Sequence, residues 1–205
     1  DNVAIIRGSG VNIEQYTFMN EVKDTPIVML ASRMLWDKGV GEFVDAAKIL
    51  KDKKINARFV LVGENDPENP ASIPEGQLNE WHGSGVIEYW GEQTKMHEVL
   101  PKASIICLPS YREGLPKVLL EAASCSRPII ATDVPGCREI VHNGKNGILV
   151  PIKNSNSLAN AIKELIDNPE KRKSMGTNGR RLVENEFSEE TVVSQTLKVY
   201  QELLV

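Results

Sequence analysis

Short, wholly apolar runs alternate along this chain with stretches in which apolar residues recur every three or four positions. The runs "TPIVMLASR" (25–33), "ARFVLVGEN" (57–65), "VIEYWG" (86–91), "SIICLPS" (104–110), "PIIAT" (128–132) and "NGILVP" (146–151) have the length and β-branched content of strands. Between them, "GVGEFVDAAKILKDK" (39–53) places Val40, Phe43, Val44, Ala47 and Leu50 on one helical face. Segments 74–83, 94–103 and 115–126 predict further helices, the last with Pro116 in its first turn, where proline loses no hydrogen bond. The final quarter turns wholly helical. Helices are predicted over 157–169, closed by Pro169, over the basic segment 170–184, and over 187–204. Ser188 would cap the last of these, with Phe187 stapled on Val192.

Strands alternating with helices at this spacing predict an α/β fold: a Rossmann-like, doubly wound parallel sheet of about six strands, helices on both faces, and a C-terminal helical extension. No internal repeat or low-complexity segment interrupts it. In such sheets ligands bind at the carboxyl ends of the strands, so loops 32–39, 63–73, 91–94 and 109–116 are the ones to inspect.

Composition narrows the function. At 205 residues, 41% hydrophobic and 25% charged, the chain can bury a core without staples. A net charge of −4 argues against an electrostatic nucleic-acid binder. No run approaches the roughly 18 apolar residues of a membrane span, and no signal-peptide pattern opens the chain. Cys107, Cys125 and Cys137 are widely spaced and form no metal motif, as reduced, packed thiols would be in the cytoplasm. His82, His97 and His142 are scattered and have no catalytic partner in the sequence.

Three stretches carry candidate chemistry. In "SRMLWDKGV" (32–40), Arg33 and Lys38 bracket a strand-to-helix loop, with Gly39 opening the helix. Two cations beside a helix start make an anion site, or merely a solvated loop. "GSGVN" (8–12) is a glycine turn, with Gly8 and Gly10 either lining a site or forming a plain turn. In "SYREGLPKVLLEAASCSRP" (110–128), Glu113 precedes the helix and Glu121 lies inside it, so the two carboxylates sit roughly 7–8 Å apart along the axis. The backbone of Gly114, Leu115, Lys117 and Val118 crowds the helix start, where a phosphate could be capped; Pro116 has no N–H to give. A carboxylate on the helix can take two vicinal hydroxyls. Equally, Lys117 and Glu121 could pair as i,i+4 surface charges and Glu113 could cap the helix.

These stretches, with "VIEYWGEQTKMHEVLPKASIICLPSYREGLPKVLLEAASCSRPIIATDVPGCREIVHNGKNGILVP" and the tail "NSNSLANAIKELIDNPEKRKSMGTNGRRLVENEFS", resemble the donor-binding C-terminal half of the retaining, family-4-type glycosyltransferases of GT-B fold. The resemblance covers nearly the whole chain, and the two glutamates separated by seven residues are its most specific element. It implies that Glu113 contacts the donor sugar, Glu121 the ribose hydroxyls, and Arg33 with Lys38 the diphosphate. Gly114, Leu115, Pro116, Lys117 and Val118 would meet sugar and phosphate, Gly8 and Gly10 would edge the interdomain cleft, and the base would sit near Tyr89–Gly91. Leu115–Pro116 stands where many members have Phe–Gly.

The resemblance further implies a single donor domain over 1–205, the acceptor-binding N-terminal domain being absent, and weak donor binding with little transfer by this piece alone. The expected partner is a nucleotide sugar, with UDP-sugar the expected donor and no cofactor or metal; the chain has no Asp-x-Asp element. Polysaccharide or lipid-linked glycan assembly in the cytoplasm is implied, with any peripheral membrane contact, at the inner face, made by the missing half. A GT-B-shaped epimerase or phosphorylase, and a non-catalytic nucleotide-sugar-binding module, are the alternatives.

Overall fold

The computed structural model describes residues 5–19 and 25–203. Six parallel strands, β1 (Ile27–Ala31), β2 (Arg58–Val62), β3 (Glu88–Tyr89), β4 (Ile105–Leu108), β5 (Ile129–Thr132) and β6 (Gly147–Val150), form one sheet in the order β3-β2-β1-β4-β5-β6. The predicted doubly wound sheet is therefore present. Every residue of β4 and β5 is buried, as expected for parallel strands covered on both faces.

Alternation assigns each side chain to one layer. Val28 and Leu30 of β1, Phe59 and Leu61 of β2, and Ile105 and Cys107 of β4 face a core shared with α1 (Val40–Asp52), α2 (Glu75–Gly83) and α6 (Ser155–Asp167). Met29, Ala31, Val60, Val62, Ile106 and Leu108 face the opposite core, which contains Leu119, Leu120 and Ala123 of α4 (Lys117–Ser124). Because the side-chain period is two, a one-residue slip of any central strand would exchange these faces, so the register is tightly specified.

The structure corrects several boundaries. The helix expected over 94–103 is a single α-turn, α3 (Met96–Val99), followed by a 3₁₀ turn Leu100–Lys102, because Pro101 removes a donor. Pro116 is extended (φ −71°, ψ 108°) and is the N-cap of α4, one position before the helix proper. A short helix α5 (Pro135–Arg138), not anticipated, follows β5. Helix α6 starts at Ser155, where the Asn154 side chain accepts from Ser157 N–H at 2.8 Å. Helix α7 (Pro169–Leu182) runs through a π turn, Val183–Phe187, into α8 (Glu189–Leu203). Ser188 does cap α8, its hydroxyl accepting from Thr191 N–H at 3.1 Å, and Phe187 and Val192 are both buried. No helix among the described residues is long and apolar enough to cross a membrane.

At the sheet edge, Arg58 of β2 grips Glu88 of β3 through two 2.7 Å bonds. Hydrogen bonding to Arg58 holds the Glu88 carboxyl below its ordinary value, with burial opposing. The pair therefore stabilises the fold at neutral pH, and that stabilisation is lost as the pH falls below the ordinary carboxylate range. Both side chains are more than a third exposed, so screening limits the effect to about 1 kcal/mol. Glu88→Gln is expected to lower stability by that amount in urea melts at neutral pH and to match the parent chain in strong acid.

Candidate functional site

The strand order reverses between β1 and β4, which makes their carboxyl ends a topological switch point. The loop after β1 carries Arg33 and Lys38. The loop after β4 carries Glu113 and leads into α4 with Glu121.

The two loops are stitched together. A 3₁₀ turn, Trp36–Lys38, ends at Gly39, whose φ of 72° lets it open α1 while lying against Pro109; a Cβ there would fall 2.1 Å from the Pro109 carbonyl oxygen. Tyr111 N–H donates to Asp37 O at 2.9 Å, Arg112 pairs with Asp37 at 3.2 Å, and the Tyr111 hydroxyl donates to Glu42 at 2.7 Å. From the other side, Gly136 of α5 lies under the glutamate loop so closely that a Cβ would meet the carbonyl oxygens of Gly114 at 2.1 Å and Glu113 at 2.4 Å. The result is a fixed pair: Lys38 Nζ donates to Glu113 Oε1 at 2.7 Å, with the side chains only 24% and 10% exposed.

Both cations thus have carboxylate partners, since Arg33 also pairs with Asp66 at 2.9 Å. This corrects the picture of a simple two-cation anion site. An incoming anion must share or exchange these partners. Neither alternative read from the sequence for the glutamates holds: Glu113 bonds Lys38, and α4 has no side-chain cap. Glu121 interacts with Lys117 only as a charge, and the Tyr16 hydroxyl is a neighbour of its carboxylate. Burial raises the Glu121 carboxyl above its ordinary value, with the neighbouring Tyr16 hydroxyl and the Lys117 charge opposing.

Glu121 opens into a cleft of about 260 Å³ at the strand ends, shared with Arg33, Gly63, Glu64, Glu92 and Val118. Beyond it, Gly63 N–H donates to Gly91 O at 2.8 Å and the Tyr89 hydroxyl to Gly63 O at 2.9 Å, so the Tyr89–Gly91 segment borders the same edge. Gly114, Leu115, Pro116 and Lys117 join the cleft to the Lys38–Glu113 pair along the start of α4, where the first-turn N–H groups of Lys117 and Val118 have no intrahelical acceptor. Gly8 lies against the Leu115 side chain. Gly10 does not face the cleft but packs on the Glu189 backbone at the start of α8.

The three cysteines are buried and free, and burial pushes the Cys125 and Cys137 thiols up to about 12, as inert packed thiols require. Sequence reasoning missed Tyr16 and Asp66. Asn12 is a local hint to Tyr16 alone: its side chain accepts from Glu14 and Gln15 N–H at 3.1 and 2.9 Å and builds the turn that carries Tyr16.

Fold and edge together define an α/β domain of the kind that binds nucleotides across a switch point. The chain belongs to the family described as "Glycosyl transferases group 1", whose model matches residues 13–182. It is 32% identical over 217 residues to N,N′-diacetylbacillosaminyl-diphospho-undecaprenol alpha-1,3-N-acetylgalactosaminyltransferase of Campylobacter jejuni, covering 100% of this chain and 55% of that protein. Among solved structures, sucrose-phosphate synthase from Thermosynechococcus elongatus superposes with a TM-score of 0.82 at 29% identity, covering 97% of this chain and 52% of that one. HepE from Anabaena, solved in complex with UDP, superposes with a TM-score of 0.83 at 21% identity, over 94% of this chain and 56% of that one, a likeness of fold. The chain spans about half the length of these relatives.

Proposed function

We propose that residues 1–205 are the donor-binding half of a retaining, family-4-type glycosyltransferase that takes its sugar from UDP. One juxtaposition supports this most: the cation-bearing loop after β1 and the two-glutamate element after β4 meet at the switch point. Glu121 receives the ribose hydroxyls, and Glu113 the hydroxyls of the sugar. The diphosphate lies between them, against Arg33, Lys38 and the first turn of α4. During transfer the bond from the sugar's anomeric carbon to the diphosphate oxygen breaks, and the acceptor hydroxyl bonds that carbon on the same face and gives its proton to the departing diphosphate. Arg33, Lys38 and the helix dipole stabilise the charge that develops on the leaving group. Gly8 edges the cleft through Leu115, and the base lies along Tyr89–Gly91. The acceptor, and any membrane contact, belong to a portion of the protein beyond this chain. HepE's complex with UDP supports the choice of nucleotide, and the Campylobacter relative's name supports a role in lipid-linked glycan assembly.

Calorimetric titration of the chain with UDP, GDP and ADP tests the donor site, with UDP expected to bind and the other two to bind more weakly. Glu113→Gln carries a distinctive sign. It removes a negative charge beside the diphosphate and releases Lys38 from its carboxylate, so free UDP is expected to bind roughly five- to tenfold tighter. The UDP-sugar, which loses a sugar contact, gains less. Absence of nucleoside diphosphate binding by both this chain and the complete protein would overturn the assignment.

A further inference from the structure

The loop after β2 reads "GENDPENPASIP" (63–74) and has neither helical nor strand periodicity. Pro67, Pro70 and Pro74 fix φ along it, and the polar residues between them close turns. Asn69 N–H donates to Asp66 O at 2.9 Å, the Asn69 side chain accepts from Ala71 N–H at 3.0 Å, and the Ser72 hydroxyl donates to Asn65 Oδ1 at 2.7 Å. The loop built this way is zipped to the loop after β1. Met34 N–H donates to Glu64 O at 2.9 Å, Trp36 N–H to Ala71 O at 2.8 Å, and Ile73 N–H to Met34 O at 2.9 Å. Met34 and Ile73 are fully buried at this seam.

Arg33 therefore stands on a fixed backbone, but its side chain is 52% exposed. Its one side-chain bond among the described residues runs from Nη1 to Asp66 Oδ2, at 2.9 Å. Asn69 Nδ2 reaches the same oxygen at 3.5 Å. Among the described residues, Glu64 lines the same cleft as Arg33 and Asp66 does not. The anchoring carboxylate thus stands outside the space a ligand would fill.

An exposed arginine spreads over many rotamers, and a ligand that needs one of them bears the cost of selecting it. Anchored at one nitrogen, the planar fork keeps most of its donors for a phosphate and holds them in place. We propose that Asp66 is a positioning residue: its carboxylate holds the Arg33 guanidinium at the cleft edge for the diphosphate, and so strengthens binding of nucleoside diphosphates over the bare nucleoside. This rests on the assignment of Arg33 to the diphosphate made above.

Asp66 has two opposed effects, so the sign of its removal is decisive. Its charge repels an anion, and its bond orders Arg33. The Lys38–Glu113 pair differs on both counts. Lys38 is a point charge only 24% exposed, confined with or without its partner, and Glu113 stands where sugar and diphosphate would lie. Arg33, once released, is free to swing into water, and Asp66 lies outside the cleft. Ordering therefore outweighs repulsion at Asp66, the reverse of the Glu113 case.

The test titrates the parent chain, Asp66→Ala, Asp66→Asn, Arg33→Ala and the double variant Arg33→Ala/Asp66→Ala with UDP by calorimetry and with uridine by NMR. Thermal melts report whether each fold is intact. Asp66→Ala is expected to weaken UDP about fivefold and to leave uridine unchanged. Asparagine keeps an acceptor for Nη1 without the charge, so Asp66→Asn should regain most of that loss. In the Arg33→Ala background, itself about 30-fold weaker for UDP, Asp66→Ala should cost nothing further. UDP binding that is unchanged or tighter in Asp66→Ala, while Arg33→Ala weakens it, would overturn the inference and leave the diphosphate assignment standing. Equal losses for uridine and UDP, or the same loss in the Arg33→Ala background, would show a merely structural role and also overturn it. Unchanged UDP binding in Arg33→Ala would remove the diphosphate assignment and the inference together.

Discussion

Glu121→Ala is expected to lower the affinity of the chain for UDP by about 100-fold, close to 2.8 kcal/mol. Two hydroxyls bonded to one ionised carboxylate account for this, since bonds to charged groups contribute roughly 1.5–3 kcal/mol each before the cost of ordering the ligand. The same substitution should leave the ligand-free fold nearly as stable as before. Burial raises the Glu121 carboxyl, so ionising it costs folding free energy above the ordinary carboxylate range. Alanine removes that cost. A large loss of affinity with little change in melting temperature separates a binding residue from a packing one. Calorimetry and a thermal melt on the same sample check both halves; a fall in stability matching the fall in affinity would assign Glu121 to the core instead.

Gly136→Ala is expected to destabilise the fold by roughly 3 kcal/mol, the upper part of the range for overpacking a tight site. For a domain of this size that lowers the melting temperature by about 6–12 °C. The neighbours in the way are the carbonyl oxygens of Glu113 and Gly114, which cannot rotate aside as a side-chain tip can. The loop must therefore move, carrying Glu113 away from Lys38, so UDP-sugar affinity should fall as well. Gly76→Ala, in α2, is the control. A Cβ there meets nothing within 4 Å, and alanine should be neutral or stabilise by roughly 0.5 kcal/mol. Equal melting temperatures for the two variants would mean that α5 does not buttress the glutamate loop.

Much of the fold was legible because the central strands are buried on both faces and read as unbroken apolar runs, "IVMLA" in β1 and "IICL" in β4. The misreadings have local causes. Segment 86–91 is apolar enough for a six-residue strand, but only Glu88 and Tyr89 pair, because β3 has a neighbour on one side alone. "PGCR" is too short and too rich in breakers to announce α5, which forms because Gly136 fits under the Glu113–Gly114 backbone.

The candidate site was legible where its residues lie next to element ends, as Arg33, Lys38, Glu113 and Glu121 do. What pairs with them was not. Lys117 sits one turn from Glu121 and is its natural partner by spacing, yet the two meet only as charges, and the neighbouring hydroxyl is that of Tyr16, far away in the chain and in no periodic pattern. Likewise the partner of Lys38 is set by two glycines at close approach, and no charge pattern encodes that.

The central claim is that a nucleoside diphosphate lies across the β1–β4 switch point with its ribose on Glu121. The most direct measurement is a crystal structure of the chain grown with UDP. The account predicts ribose hydroxyls on both Glu121 oxygens and the diphosphate between Arg33, Lys38 and the start of α4, with the Lys38–Glu113 pair opened or shared. UDP bound elsewhere, or at this edge with its ribose turned away from Glu121, would contradict it.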